Sequence, residues 1–224
     1  IIRNKKTMEG LESGLARLTN PITKIIHKFR QNTLKGSKSN ILAHYDLSND
    51  FYQLWLDSTM TYSSGIFLNK KSSMHDASIE KLDRLCRKLN LNSDDHVLEI
   101  GTGWGSFATH AAKNYGCKVT TTTISDNQFN YVADLVSQEN LDNKITLLNQ
   151  DYRELEGSFD KIVSIEMIEA VGSDYVPGFF EKASSLLKKN GLMALQGITY
   201  NDPDFDAYKN SVDFIRKYIF PGSC

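Results

Sequence analysis

Val97-Leu98-Glu99-Ile100-Gly101-Thr102-Gly103-Trp104-Gly105-Ser106 is the stretch whose reading decides the fold of this chain. Val97, Leu98 and Ile100 form the continuous apolar run of a strand buried on both faces. The run then passes through three alternating glycines into a helix that the sequence predicts over Ser106–Tyr115. Glycines tolerate positive φ and let a ligand lie against bare backbone. The helix that follows aims its free N–H groups and the positive end of its dipole at the same place. The stretch therefore reads as a nucleotide cradle at the end of a parallel strand. Glycine spacing alone also suits a dinucleotide site, whose pattern is G-x-G-x-x-G, and a strand-to-helix turn with no ligand remains the bland alternative.

Working outward, 224 residues with 40% hydrophobic content suit one α/β domain and a small appendage. No stretch reaches the roughly 18 apolar residues of a membrane helix, so any membrane contact is expected to be peripheral. Cys86, Cys117 and Cys224 show neither metal spacing nor a disulfide pattern, no metal site is expected, and no secretory signal leads the chain. The expected home is the cytoplasm. The chain opens on Ile1 rather than Met, so its first residue is not expected to be a natural start. Charge is unevenly spread: residues 1–38 hold nine basic groups against Glu9 and Glu12, a balance of +7, which leaves −8 for the remainder of a chain whose formal net charge is −1. Within this arm Ile22, Ile25, Ile26, Phe29 and Leu34 sit mostly at helical spacing, which predicts a basic amphipathic helix. Such an arm suits a polyanion, either nucleic acid or an anionic membrane, or it is simply a solvated face.

From Asn40 to Asp57 and again over Met60–Gly65 the chain is rich in aromatic residues. Phe51, Leu54 and Trp55 read as core, whereas Tyr45 and Tyr62, whose hydroxyls need partners when buried, read as site-lining. A helix is predicted over Met74–Leu89, and a threonine-dominated strand over Lys118–Ile124. Dinucleotide folds close this second strand with an acidic residue for the ribose. Here Thr123-Ile124-Ser125-Asp126-Asn127-Gln128 stands instead, with Ser125 as N-cap and Gln128 as either the capping-box partner or a ligand contact. A third strand over Ile145–Leu148 leads to Asp151-Tyr152-Arg153. A fourth over Phe159–Ile165 emerges into Glu166 and Glu169, where open α/β sheets place their ligands. A helix over Tyr175–Lys188 and a fifth strand over Leu192–Ile198 complete the pattern. The predicted class is α/β, Rossmann-like, with a mainly parallel central sheet flanked by helices.

These residues carry a family resemblance. The form E-x-G-x-G-x-G resembles the S-adenosylmethionine (SAM) loop of class I methyltransferases. The runs HYDLSNDFYQLWLD, MTYSSGIF, VLEIGTGWGSFA, TTTISDNQ, DYR, FDKIVSIEMIEAVG and FIRKYIFPG, in this order, resemble the cyclopropane fatty acid synthases and their mycolic acid relatives from about Gly36 to Gly222. The resemblance implies SAM-dependent methylene transfer to the cis double bond of an unsaturated phospholipid acyl chain. It places Tyr62 and Ser63, then Val97, Leu98, Glu99, Ile100, Gly101, Thr102, Gly103, Trp104 and Gly105, then Thr123, Ile124, Ser125, Asp126, Asn127 and Gln128, and finally Tyr152 and Arg153, against SAM. It places Glu169, Ser64, Gln196 and Ile198 around a bicarbonate ion, with Glu166 expected to matter less. The family has Cys where Ser64 stands and His where Gln196 stands. Glutamine still donates to an anion but does not titrate.

The implied chemistry needs the alkene held about 3 to 3.5 Å from the sulfonium methyl with water excluded. A carbocation follows, which the faces of Tyr45 and Tyr62 would stabilise by roughly 2 kcal/mol when desolvated. A base, bicarbonate positioned by Glu169, would then take a proton from the new methyl. The resemblance divides the chain into a basic arm over 1–38 and a methyltransferase domain over 39–224. That domain is expected to be C-terminally incomplete, since five strands are countable where the class has seven. A sheet edge so exposed favours association, a homodimer included. The lipid substrate gives the arm an anionic membrane surface as its partner, on the inner face of the membrane. A nucleic-acid methyltransferase lacks its own motif here, so no nucleic-acid partner is expected. Small-molecule amine methyltransferases share much of the pattern, and a non-catalytic SAM-binding remnant is the other rival.

Overall fold

The computed structural model describes residues 48–199. Tyr45, the arm over 1–38 in which an amphipathic helix is expected, and Cys224 lie outside the described residues. In chain order the elements are α1 (Asn49–Gln53), α2 (Met74–Leu89), β1 (His96–Ile100), α3 (Ser106–Asn114), β2 (Lys118–Thr123), α4 (Asp126–Gln138), β3 (Ile145–Asn149), β4 (Phe159–Ile165), α5 (Val176–Leu186) and β5 (Leu187–Gln196). The five strands pair in the order β3-β2-β1-β4-β5, every pairing parallel. The chain order reverses between β1 and β4, and the crevice beyond the carboxyl ends of these two strands is where such sheets bind ligands.

Alternation along β1 sorts the two faces of the sheet. Val97 packs with Leu82, Leu85, Cys86 and Leu89 of α2, Phe107 and Ala111 of α3, and Val132 and Val136 of α4. Leu98 and Ile100 face the other way, onto Phe179, Ala183 and Leu186 of α5. Each large side chain so buried contributes about 1.5–3 kcal/mol. Glu99 shares the face of Val97 and is 2% exposed, so a carboxyl group is enclosed on the α2 side of the sheet. β2 meets it with polar groups. Thr121 Oγ1 donates to Glu99 Oε2 at 2.6 Å, and the Thr122 hydroxyl donates to the Gln150 carbonyl, which gives the threonine run its structural reason.

Three expectations differ from the structure. Phe51, Leu54 and Trp55 are 41%, 82% and 51% exposed, so the core reading of these residues is overturned. The helix there is a single short turn ending at Gln53, and of its residues only Tyr52 is buried, against Met60 and Trp104. The second difference is the end of α5, at Leu186 rather than Lys188, and with it the extent of β5, Leu187–Gln196 rather than Leu192–Ile198. Leu187 turns extended and begins β5, and Lys188 bonds Asp160 with its ammonium at 2.8 Å. The third is the capping box of α4, of which only half forms. Ser125 Oγ accepts from the Gln128 N–H at 3.4 Å, but the Gln128 side chain turns back to accept from Thr123 Oγ1 at 2.9 Å.

Candidate active site

Four segments meet at the crevice. The first is the glycine loop, tied to the end of β2 by the N–H groups of Gly101 and Thr102, both donating to the Thr122 carbonyl at 3.2 and 2.9 Å. Its glycines are not equivalent. Gly105 (φ +82°) caps α3, and a Cβ there would press on Val132 at 3.1 Å; at Gly101 (φ +95°) it would meet Met167 at 3.1 Å. At Gly103 (φ +52°) it would meet nothing within 4 Å. Packing therefore explains Gly101 and Gly105, while Gly103 lines open space.

The second segment is the end of β2 and the start of α4. Gln128 is buried and holds Thr123 through Oε1, while its Nε2 has no hydrogen-bond partner. Thr102 Oγ1, in the glycine loop, is likewise buried and unpartnered. Two orphaned polar atoms and an open glycine in one crevice fit a polar cofactor such as SAM, because a buried polar atom left without a partner costs about 1–3 kcal/mol. Asp126 and Asn127 are exposed on the first turn of α4, where Asp126 accepts from Asn149 Nδ2 at 2.7 Å. Ile124 is half-buried between them and the strand.

The third segment, Asp57 to Ser64, is clamped to the glycine loop by aromatic rings. Trp104 packs against Tyr52 with centroids 4.7 Å apart and ring planes tilted by 53°, and Tyr62 lies 5.8 Å from Tyr52 and 6.4 Å from Trp104. Trp104 Nε1 donates to Asn49 Oδ1 at 3.1 Å, a contact sequence reasoning missed. The Tyr62 hydroxyl is pushed above its ordinary value, first by burial and then by the charge of Glu166. Beyond β3, Tyr152 packs edge-on against Phe179, and the Arg153 guanidinium lies on Asp151, donating at 2.8 and 2.6 Å.

The fourth segment leaves β4. Glu166 adopts φ +48°, an uncommon backbone conformation for a non-glycine residue, and its Oε1 accepts from Ser64 N at 3.1 Å, Ser64 Oγ at 2.8 Å and Gln196 Nε2 at 2.8 Å. Ser64 and Gln196 thus gather on Glu166, whereas Glu169, in the 3-10 turn Ile168–Ala170, accepts from the Ile198 N–H. The expected four-residue grouping is divided between two carboxylates, and Glu166 is the hub that sequence reasoning set aside.

One further residue was missed. Lys81 belongs to α2 yet is 1% exposed, and its Nζ donates to Ser63 Oγ at 2.5 Å. Burial pulls its pKa down to about 8, against the nearby charges of Glu166, Asp57 and Glu99. Burial pushes Glu99 up to about 8, opposed by the Thr121 hydroxyl and by Lys81. The signal was present: Ala77, Ser78, Lys81, Leu82, Leu85, Cys86 and Leu89 trace the buried stripe of α2, and Lys81 interrupts it.

Comparison with known proteins agrees with this geometry. A family model described as mycolic acid cyclopropane synthetase matches residues 32–224. A probable fatty acid methyltransferase of Pseudomonas putida is 40% identical over 195 residues, 86% of this chain and 50% of that protein. The cyclopropane-fatty-acyl-phospholipid synthase of Escherichia coli K12 is 38% identical over 181 residues, 81% of this chain and 45% of that protein. The chain thus spans about half the length of these curated relatives. The crystal structure of a mycolic acid cyclopropane synthase complexed with SAH and CTAB superposes with a TM-score of 0.77 at 33% identity, covering 83% of this chain and 68% of that one.

Proposed function

Because this chain belongs to the mycolic acid cyclopropane synthetase family, we propose that it moves the methyl carbon of SAM onto the cis double bond of a phospholipid acyl chain and closes a cyclopropane ring. The observation that carries the reading is the end of the sheet, where β1 and β2 run out into an open glycine and two orphaned buried polar atoms, and β4 into a carboxylate held by three donors. When bound, SAM supplies an electrophilic methyl on a sulfonium. Gly103, Thr102 and Gln128 would hold it, and the Tyr62, Trp104 and Tyr52 rings exclude water beside it. The alkene would donate its π pair to that methyl as the carbon–sulfur pair returns to sulfur and S-adenosylhomocysteine leaves, and the resulting carbocation on the acyl chain would be stabilised by the face of Tyr62. Loss of one proton from the new methyl then closes the ring, for a net gain of CH2 by the lipid.

The family resemblance implies bicarbonate as the base, beside Glu169, Ser64, Gln196 and Ile198. The Ser64 N–H and hydroxyl and the Gln196 amide already donate to Glu166, and the Ile198 N–H already donates to Glu169. We therefore assign the proton to Glu166, whose carboxylate receives the donors the resemblance reserves for the anion. The +7 balance of residues 1–38 supports delivery of the enzyme to an anionic membrane, since each basic residue near such a surface contributes about 1 kcal/mol. No helix among the described residues is long and apolar enough to cross a membrane.

The name of the Pseudomonas putida relative favours a second outcome, in which the cation loses a proton from a chain carbon and a methyl branch results. Both products weigh about 14 mass units more than the substrate chain. Incubation of the full-length natural protein with SAM and unsaturated phospholipid vesicles, followed by mass and proton NMR analysis of the acyl chains, separates them. Upfield ring protons support cyclopropanation, a mass gain with retained vinyl signals supports branching, and no mass gain refutes one-carbon transfer to the acyl chain.

A further inference from the structure

A lysine is among the residues least often enclosed in a protein, and one that is enclosed needs partners to compensate for lost hydration. Lys81 stands on the buried stripe of α2, where its neighbours Leu82, Leu85, Cys86 and Leu89 are core. Its ammonium reaches past them to Ser63 Oγ at 2.5 Å. Ser63 is flanked in the chain by Tyr62, which faces the Trp104 ring, and by Ser64, which donates twice to Glu166. One buried cation therefore grips the middle residue of the segment that carries both a site-lining ring and the donors to the proposed base.

Charge tells the same story. The charges of Glu166 at the end of β4, Asp57 in the loop before α2 and Glu99 on β1 act on Lys81 against the effect of its burial. Asp57 is already held by Thr59 at 2.7 and 2.6 Å and by Ser78, on the same face of α2 as Lys81, at 2.7 Å, with His75 at 3.8 Å. Glu99 is held by Thr121 at 2.6 Å.

We infer that Lys81 is a positioning residue for the reaction, holding the Tyr62–Ser64 segment in place and supplying the positive charge beside Glu166. The inference rests on the proposed methylene transfer to the acyl chain and deepens it. Burial pulls the ammonium down to about 8, so the charge is present below that pH and is lost as pH rises through it. Turnover that depends on the charge falls over the same interval.

Lys81→Met keeps the length and apolar stem and removes the charge, and Lys81→Arg keeps the charge at every accessible pH. In the full-length natural protein with SAM and unsaturated phospholipid vesicles, Lys81→Met should lower kcat at least about tenfold, change SAM affinity less than about threefold, and lack the alkaline limb near pH 8. Its melting temperature should fall, because removing one partner of a buried charge cluster leaves carboxylates uncompensated, so kcat is read well below that temperature. Lys81→Arg should retain more turnover than Lys81→Met above about pH 8. Wild-type turnover or an unchanged alkaline limb in Lys81→Met overturns the inference. A second arm needs no transfer: the unfolding free energy of wild type should gain on that of Lys81→Met as pH rises from about 8 to about 10, because the unfolded lysine then binds the proton that the folded one has lost. A flat difference overturns the inference whether or not transfer is seen, whereas absence of transfer by wild type refutes the proposed function.

Discussion

Glu166 and Gln196 are bound to each other twice: the Glu166 N–H donates to the Gln196 carbonyl at 2.8 Å, and the Gln196 side-chain amide donates to Glu166 Oε1 at 2.8 Å. The first bond fixes the backbone where β4 ends, and the second aims the carboxylate. A glutamine does this without competing for the proton, which a histidine in its place would do.

The first prediction follows from that pair. Glu166→Gln preserves volume and removes the proton acceptor, so turnover should drop by about 10² or more while SAM affinity stays within a few fold. Steady-state kinetics beside calorimetric SAM titration checks this. Glu169→Gln, measured in parallel, should lose less, because Glu169 holds the Ile198 backbone rather than Ser64 and Gln196.

The glycines of the loop should separate by phenotype. Gly103→Ala meets no atom of the protein, so it should cost only the roughly 1–2 kcal/mol of a left-handed alanine in stability, yet weaken SAM binding about tenfold or more. Gly105→Ala presses on Val132 and should lose about 2 kcal/mol of stability with or without cofactor. Thermal unfolding and SAM titration of both variants give the comparison. Equal SAM affinity in Gly103→Ala and wild type would remove the open glycine from the cofactor site.

The aromatic clamp makes a third expectation. Trp104→Phe keeps a ring on Tyr52 but loses the indole N–H to Asn49, at about 1 kcal/mol, whereas Trp104→Ala also empties a buried site, at about 3–5 kcal/mol. Urea unfolding measures both. Indistinguishable losses would mean that the hydrogen bond, not the ring packing, ties Asn49–Tyr62 to the loop.

Much of this arrangement was legible in the sequence, for identifiable reasons. β4 runs over Phe159–Ile165 and α2 over Met74–Leu89, as the apolar run and the helical spacing predict, because local pattern and tertiary burial agree there. Where they disagree, the sequence misleads. Phe51, Leu54 and Trp55 look like core by composition, but α1 is too short to bury three large side chains on one face. The importance of Glu166 was hidden because it depends on a positive φ and on partners 102 residues before it and 30 after it. Lys81 showed itself only as an interruption of an apolar stripe, and its partner Ser63 lies 18 residues away.

The last prediction concerns pH and Glu99. This carboxyl is enclosed on the sheet face that carries α2, and burial raises it from the ordinary carboxylate range to about 8, with the Thr121 hydroxyl and Lys81 pulling the other way. In the unfolded chain it titrates normally, so between those two values the folded protein binds a proton that the unfolded chain has released. Stability is then fully present below the ordinary carboxylate value and is lost as pH rises towards about 8. Glu99→Gln keeps the shape and cannot ionise. It should match wild type at about pH 4 and exceed it by about 2 kcal/mol or more at about pH 8, a difference that chemical unfolding at the two pH values reads directly. In the glutamine variant Thr121 keeps an acceptor, so the hydrogen bond survives and the comparison isolates the charge. A constant difference across the range would show that Lys81 neutralises Glu99 fully in the folded state, and that the two form a closed ion pair rather than two separately titrating groups.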